Sequence, residues 1–171
     1  SEKQVLGGFV AAVREFDPDF IAGYDTDRHD FVKLSAKAAV NKVSLGVGRD
    51  GSQVVFERRG YYSSADIAGR VHIDLYDFIE NILSPSMSSE LLTLENVAGE
   101  LTGIRRAASP AELALKLAER LLPQIFEISN LVGQNPFDAS RMAYSQLVES
   151  LLMREAFDAG EVILNRPTTD E

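Results

Sequence analysis

Apolar residues recur at helical spacing over residues 3–16, where Leu6, Phe9, Val10, Val13 and Phe16 share one face and Asp17-Pro18 ends the run. Phe20-Ile21-Ala22-Gly23-Tyr24 is a short apolar run between acidic residues and predicts a buried strand. Helical spacing returns over Asp30 to Val40 through Phe31, Leu34, Ala38 and Ala39. Arg49-Asp50-Gly51-Ser52 predicts a tight turn, and Val54-Val55-Phe56 after it begins a strand, so a hairpin is expected there. Val71, Ile73 and Leu75 alternate with polar residues as a half-buried strand, followed by a helix from Asp77 to Leu83.

From Thr93 onward the pattern is wholly helical. Leu94, Val97, Ala98 and Leu101 form a stripe that Gly103 ends. Ser109-Pro110-Ala111-Glu112 reads as a capping box with proline at the first helical position, where its missing N–H costs nothing. The helix it opens runs through Leu113, Leu117, Leu121, Ile125, Ile128 and Leu131, with Pro123 as a kink. A last helix, Ser140 to Ala159, is expected to bury Ala143, Leu147, Val148, Leu151 and Leu152, with Gly160 as its cap. A few strands followed by a helical half indicate an α/β or α+β chain.

Composition narrows the chemistry. The 171 residues suit one domain, and zero Cys removes thiolate metal sites, disulfides and cysteine nucleophiles together. Two histidines, His29 and His72, are the only imidazoles. The net charge of -9 argues against broad, charge-driven binding to nucleic acid, although a local basic groove remains open. No apolar run reaches the roughly 18 to 20 residues of a membrane span, and no signal pattern opens the chain, so a soluble, cytoplasmic protein is expected.

Asp25, Asp27, His29 and Asp30 are the densest polar cluster, between a strand and a helix. Carboxylates there can hold a hard cation such as magnesium, or Asp25 or Asp27 can simply cap the helix while the others offset its dipole. Asp74 and Asp77 sit at a strand-to-helix junction, where an N-cap role suffices, and His72 reads as a hydrogen-bonded strand residue. Arg58-Arg59 and Arg105-Arg106 are the adjacent basic pairs that can meet a phosphate, although solvated pairs are commoner. Tyr61-Tyr62 can stack on bases or pack in a strand.

Several of these segments, in order, resemble the family B DNA polymerases of archaea. Asp17-Pro18-Asp19-Phe20-Ile21-Ala22-Gly23-Tyr24 running into Phe31 resembles the region of the second exonuclease motif. Gly48-Arg49-Asp50-Gly51-Ser52, Gly69-Arg70-Val71-His72-Ile73-Asp74-Leu75-Tyr76 and Thr93-Leu94-Glu95-Asn96-Val97-Ala98 resemble the segments that follow it. Leu122-Pro123, Leu131-Val132-Gly133-Gln134, Ser140-Arg141, Gln146-Leu147-Val148-Glu149 and Asn165-Arg166-Pro167 resemble the passage toward the palm. The resemblance covers nearly the whole chain.

It implies an α/β, RNase H-like (DnaQ-like exonuclease) fold truncated at its N-terminal strands, with a helical C-terminal half. Residues 1–132 would be the exonuclease-like domain and residues 133–171 a helical connector toward the palm. The implied activity is removal of mispaired 3′ nucleotides by two cations, about 4 Å apart, that acidic residues hold. The first motif, Asp-x-Glu, occurs nowhere, and the chain is expected to begin downstream of it. In the second motif the metal-binding Asp falls on Asp30, while Asp25 and His29 replace the family's Asn and Phe. In the third motif Arg106 stands for the Tyr and Pro110 for the catalytic Asp. Tyr62-x-x-x-Asp66 fits that pattern but precedes the Gly-Arg-x-His segment and belongs in a hairpin.

One of four metal-binding acids therefore survives by this resemblance, which implies a noncatalytic domain of a divergent, inactivated paralogue. It would serve as scaffold or DNA-contacting part of a replication or repair polymerase. No cofactor is expected, with magnesium only if exonuclease activity remains. DNA is the partner through the parent polymerase, together with other replication proteins. Two alternatives stay open: an active exonuclease in which Asp25, Asp27 or Asp66 substitutes for the lost acid, and a standalone protein-interaction module.

Overall fold

The computed structural model describes residues 1–59 and 62–163, without the side chains of Arg59 and Tyr62. The Tyr61-Tyr62 platform, the Arg59 side chain and Asn165-Arg166-Pro167 thus lie outside the described residues. In chain order, α1 (Glu2–Phe16) leads to β1 (Phe20–Gly23), a π-helical turn (Thr26–Asp30) and α2 (Phe31–Asn41). After a loop come β2 (Val55–Arg59), β3 (Tyr62–Asp66) and β4 (Val71–Asp74). The rest is helical: α3 (Leu75–Phe78) with its π-helical continuation (Ile79–Leu83), α4 (Leu94–Thr102), α5 (Pro110–Val132), α6 (Pro136–Ala139) and α7 (Tyr144–Ala159).

β1 and β4 pair in parallel, from Phe20 opposite Val71 to Gly23 opposite Asp74. Because side chains alternate along a strand, Ile21 and His72 face one side and Val71 and Ile73 the other. The first side packs on α1 and α2, in a cluster of Leu6, Val10, Phe31, Ala38, Leu45, Val47, Ala65 and Ile67. The second packs on α3, α4 and α5 through Ile73, Leu75, Phe78, Ile79, Val97, Leu117, Leu121 and Ile125. The sheet is thus sandwiched between helices, as parallel sheets require. A third small cluster, Val132, Ala139 and Leu147, fastens α7 to the end of α5. Among the described residues no helix is long and apolar enough to cross a membrane.

Three of the recognised sequence segments meet at one corner. Arg70, whose side chain is buried, pairs with Asp17 at 2.7 Å and donates to the Pro18 and Val47 carbonyls. Arg49 pairs with the same Asp17 and with Asp19. Gly69 is the residue that permits this: its φ is 73°, and a Cβ there would lie 3.0 Å from the Arg49 side chain. The corner fixes where β1 starts, and hence where the turn after it ends up.

Four expectations are corrected. The hairpin is β2–β3, not one closed by Arg49 to Ser52; that turn exists, but residues 43–47 form no ladder. The Gly46 and Val47 carbonyls accept from Arg14 and Arg70 side chains instead. β1 is only half buried, with Phe20 packed on Phe126 at 5.2 Å, because its second edge has no partner strand among the described residues. β4 is covered on both faces, so His72, Ile73 and Asp74 are all buried rather than alternating. In α7 only Leu147 is buried; Ala143, Val148 and Leu152 face outward, because the helix touches its neighbours along the narrow line of Leu147 and Leu151.

Candidate functional site

The site grows from the end of β1. Gly23 closes the strand against Thr26, where a Cβ would come within 2.2 Å of the threonine methyl, so a side chain here would push the turn away. Asp25 then takes a left-handed backbone, φ 57°, and the chain enters the wide turn that carries Asp27, Arg28, His29 and Asp30. Asp74, at the end of β4, holds this turn from below. Its Oδ1 accepts the Asp25 and Tyr76 N–H groups at 2.8 and 3.0 Å, and its Oδ2 accepts the Asp27 N–H at 2.8 Å. Asp74 is therefore the cap of α3 and the anchor of the turn at once.

Neither Asp25 nor Asp27 caps the helix with its side chain. Asp27 points inward: Oδ1 accepts the Ala65 N–H at 2.7 Å and Oδ2 accepts Arg141 Nε at 2.7 Å. Arg141 comes from the segment after α6 and also donates to the His72 and Phe137 carbonyls. His72 is fully buried, with Nδ1 2.8 Å from the Ala65 carbonyl and Nε2 2.9 Å from the Thr26 hydroxyl. These partners assign Nδ1–H as donor and leave Nε2 to accept from Thr26. Burial first, then Arg141, pushes this imidazole down to about 4, so it is neutral as a strand residue should be.

Asp27, Asp74 and Asp77 form a buried carboxylate trio in which one oxygen from each lies within 4.8 Å of the others. Burial raises Asp74, against the pull of its N–H donors, and raises Asp77 to about 7. The trio does not fit a pair of catalytic cations. Asp27 is committed to Arg141 and a main-chain N–H, Asp74 to three N–H groups, and Arg28 Nη2 stands 2.8 Å from Asp77 Oδ1 where a cation would sit.

Of the residues singled out in the sequence, Asp27, Asp74 and Asp77 form this trio, and the other candidates lie elsewhere. Asp30 is exposed at the start of α2, is not a member of the trio, and borders an apolar cavity of about 580 Å³ lined by Val5, Leu6, Phe9, Ile21, Phe31 and Leu34. Asp25 pairs with His29, Oδ2 to Nδ1 2.7 Å, so the two substituted motif positions are joined to each other. Pro110 is the first residue of α5, beneath the Ser109 cap. Glu112 reaches back to the Ala108 N–H at 2.8 Å rather than to that of Ser109. Arg105 and Arg106 are exposed beside Ser109 and Pro110, around a hollow of about 250 Å³, while Arg58 is exposed on β2. Asp66 ends β3, in the hairpin. Arg28, Arg141 and the trio were not singled out as a unit; their traces in the sequence were Asp27 in the polar cluster, Asp74 and Asp77 at the strand-to-helix junction, and the Ser140-Arg141 segment.

Comparison with known proteins gives a consistent picture. The family model described as DNA polymerase family B, exonuclease domain, matches residues 1–94. A DNA polymerase of Methanocaldococcus jannaschii is 29% identical over the whole of this chain, which covers 11% of that polymerase. A DNA polymerase of Pyrococcus glycovorans is 31% identical over the whole chain, here 25% of the relative. The solved family B DNA polymerase of Pyrobaculum calidifontis superimposes with a TM-score of 0.79 at 28% identity, over 97% of this chain and 24% of its own. The chain thus spans a quarter or less of the polymerases it matches.

Proposed function

From the premise that this chain belongs to the family B DNA polymerases and corresponds to their exonuclease-domain region, we propose that it is a noncatalytic scaffold within such a polymerase. The observation that carries this reading is the separation of acids. Asp30, the one position the family's metal-binding pattern retains, is exposed, whereas the carboxylates that do cluster are buried and engaged by N–H groups and guanidinium groups. Divalent cations would supply the attacking hydroxide and the clamp on the leaving oxygen, and these residues do not assemble a holder for them. Pro110 adds to this, since its ring has no group that binds a metal and it starts a helix well.

An RNase H-like sheet is the finer fold we assign. It is supported by the parallel β1–β4 pair with helices on both faces, and by the second edge of β1, which has no partner strand among the described residues and can take a further strand. The division at residues 132 and 133 is supported by the end of α5 at Val132, although Arg141 of the connector reaches into the core of the first part. DNA is the partner we assign, through Arg58, Arg105 and Arg106.

The test is incubation with 3′-labelled single-stranded DNA and magnesium or manganese, with no shortening expected. Shortening that disappears in Asp30→Ala would overturn the noncatalytic reading. For DNA contact, binding should weaken as salt rises and should weaken further in Arg105→Ala/Arg106→Ala.

A further inference from the structure

Asp77 is fully buried, yet neither of its carboxylate oxygens accepts a hydrogen bond. Around it stand Asp74 from the end of β4, Asp27 and Arg28 from the turn, and Arg141 from the segment after α6. Asp27 has Arg141, and Asp74 has three N–H donors. Asp77 has Arg28 alone, at ion-pair distance without hydrogen-bond alignment. Three carboxylates against two guanidinium groups, with His72 neutral, leave one negative charge in the interior, and a buried unpaired charge is costly.

Arg28 has somewhere else to go. Its Nη2 is 2.9 Å from Glu80 on the continuation of α3, its Nη1 is 3.9 Å from Asp25, and its guanidinium lies 4.8 Å from the centre of the Tyr76 ring. Asp25 is in turn joined to His29. Of these contacts Asp77 draws the side chain furthest inward, since Glu80 is exposed and Asp25 and Tyr76 are half-buried.

We propose that Asp77 and Arg28 form a proton-operated latch on the Thr26–Asp30 turn. With Asp77 ionised, Arg28 is drawn inward and pins the turn to α3. With Asp77 protonated, the interior charge is gone, the guanidinium keeps Glu80 and turns from Asp77 toward Asp25, and the turn opens more often. The opened turn leaves Asp77 packed under α3 but without Arg28, so its carboxyl holds the proton more tightly there and protonation favours opening. Burial, reinforced by Asp74 and Asp27 and resisted by Arg28 and Arg141, places that change at about 7, where both states are populated in a cell. The latch acts on the segment that carries Asp25, His29 and Asp30, and it holds whether or not the chain contacts DNA.

The experiment is NMR of the ¹⁵N-labelled chain from about pH 5.5 to about pH 8.5, spanning the titration. The Arg28 Nε–H signal should move with a midpoint near 7. The Asp27 and Phe31 amides, bonded to Asp74 Oδ2 and the Thr26 carbonyl, should exchange about tenfold faster on the acid side after correction for intrinsic rates. In Asp77→Asn the Arg28 signal should be flat and exchange fast throughout. In Arg28→Gln, altered at a partly exposed side chain, exchange should be fast at every pH. A flat Arg28 signal in the unaltered chain, or pH dependence of exchange that survives in either variant, overturns the latch. Should Asp77→Asn not fold, Arg28→Gln alone decides.

Discussion

Arg141 Nε lies 2.7 Å from Asp27 Oδ2, across 114 positions of sequence, with both side chains wholly buried. The pair ties the segment after α6 to the turn after β1, so the helical half of the chain is part of the site's foundation. A single partner removed from such a pair strands a buried charge, at a cost of about 3–5 kcal/mol. Arg141→Met is expected to lower stability by that amount in urea unfolding. Asp27→Leu/Arg141→Met together should cost less than Arg141→Met alone, because the double variant strands neither member of the pair and leaves only the Ala65 N–H without its acceptor. A double variant at least as damaged as the single one would mean that packing, not charge, is what Arg141 supplies.

Asp74 stabilises by another route, as an acceptor of main-chain N–H groups rather than as half of an ion pair. It serves three N–H groups, two of which, those of Asp25 and Asp27, belong to the turn. Asp74→Ala loses a helix cap and leaves two further donors unserved, for about 2–3 kcal/mol. Asp74→Asn keeps one oxygen and should cost roughly half as much. Thermal unfolding of both variants checks the order.

The helices were legible because their periodicity and caps are local. Thr93 and Ser109 each accept the N–H three residues on, and Gly103 and Gly160 end helices where the pattern placed them. What the sequence did not reveal depends on partners distant in the chain. The loop around Gly46 and Val47 reads as the first strand of a hairpin until Arg14 and Arg70 are known to take its carbonyls. Asp27 reads as a helix cap or a cation ligand in a polar run, and nothing within ten residues points to Arg141. The burial of β4 on both faces follows from α2 and α5 arriving on opposite sides, which alternation along four residues cannot express.

The face of α7 gives a direct test of that difference. Leu147 is buried at 6% exposure against Val132 and Ala139, whereas Leu152 is 58% exposed, although the sequence pattern placed both inward. Leu147→Ala should cost about 2–3 kcal/mol, at the low end for a core leucine because α7 is peripheral. Leu152→Ala should stay within about 0.5 kcal/mol. Equal losses in chemical unfolding would show that Leu152 is covered in solution.

Two buried titratable groups give stability opposite dependences on pH. Burial, then Arg141, holds His72 at about 4 against an ordinary 6.5, so the unfolded chain takes a proton that the fold refuses. Its contribution is present above about pH 6.5 and is lost as pH falls toward about 4. Burial, then Asp74, holds Asp77 at about 7 against an ordinary 3.8, so here the fold takes the proton. That contribution is full below about pH 4 and is lost as pH rises through about 7. Between these values the His72 slope opposes that of Asp77, to which the raised Asp74 adds in the same direction, and above about pH 7 the His72 slope has faded. The expected Tm is therefore nearly level on the acid side and declines from about pH 6.5 to about pH 8. Asp77→Asn should remove that decline and uncover the His72 slope, a loss of roughly 3 kcal/mol on going from pH 6.5 to pH 4. The difference between variant and unaltered chain at each pH isolates these groups from the surface carboxylates common to both. If Asp77→Asn weakens through pH 7 as steeply as the unaltered chain, Asp77 does not take up the proton there, and another buried carboxylate, Asp74 first, must be its holder.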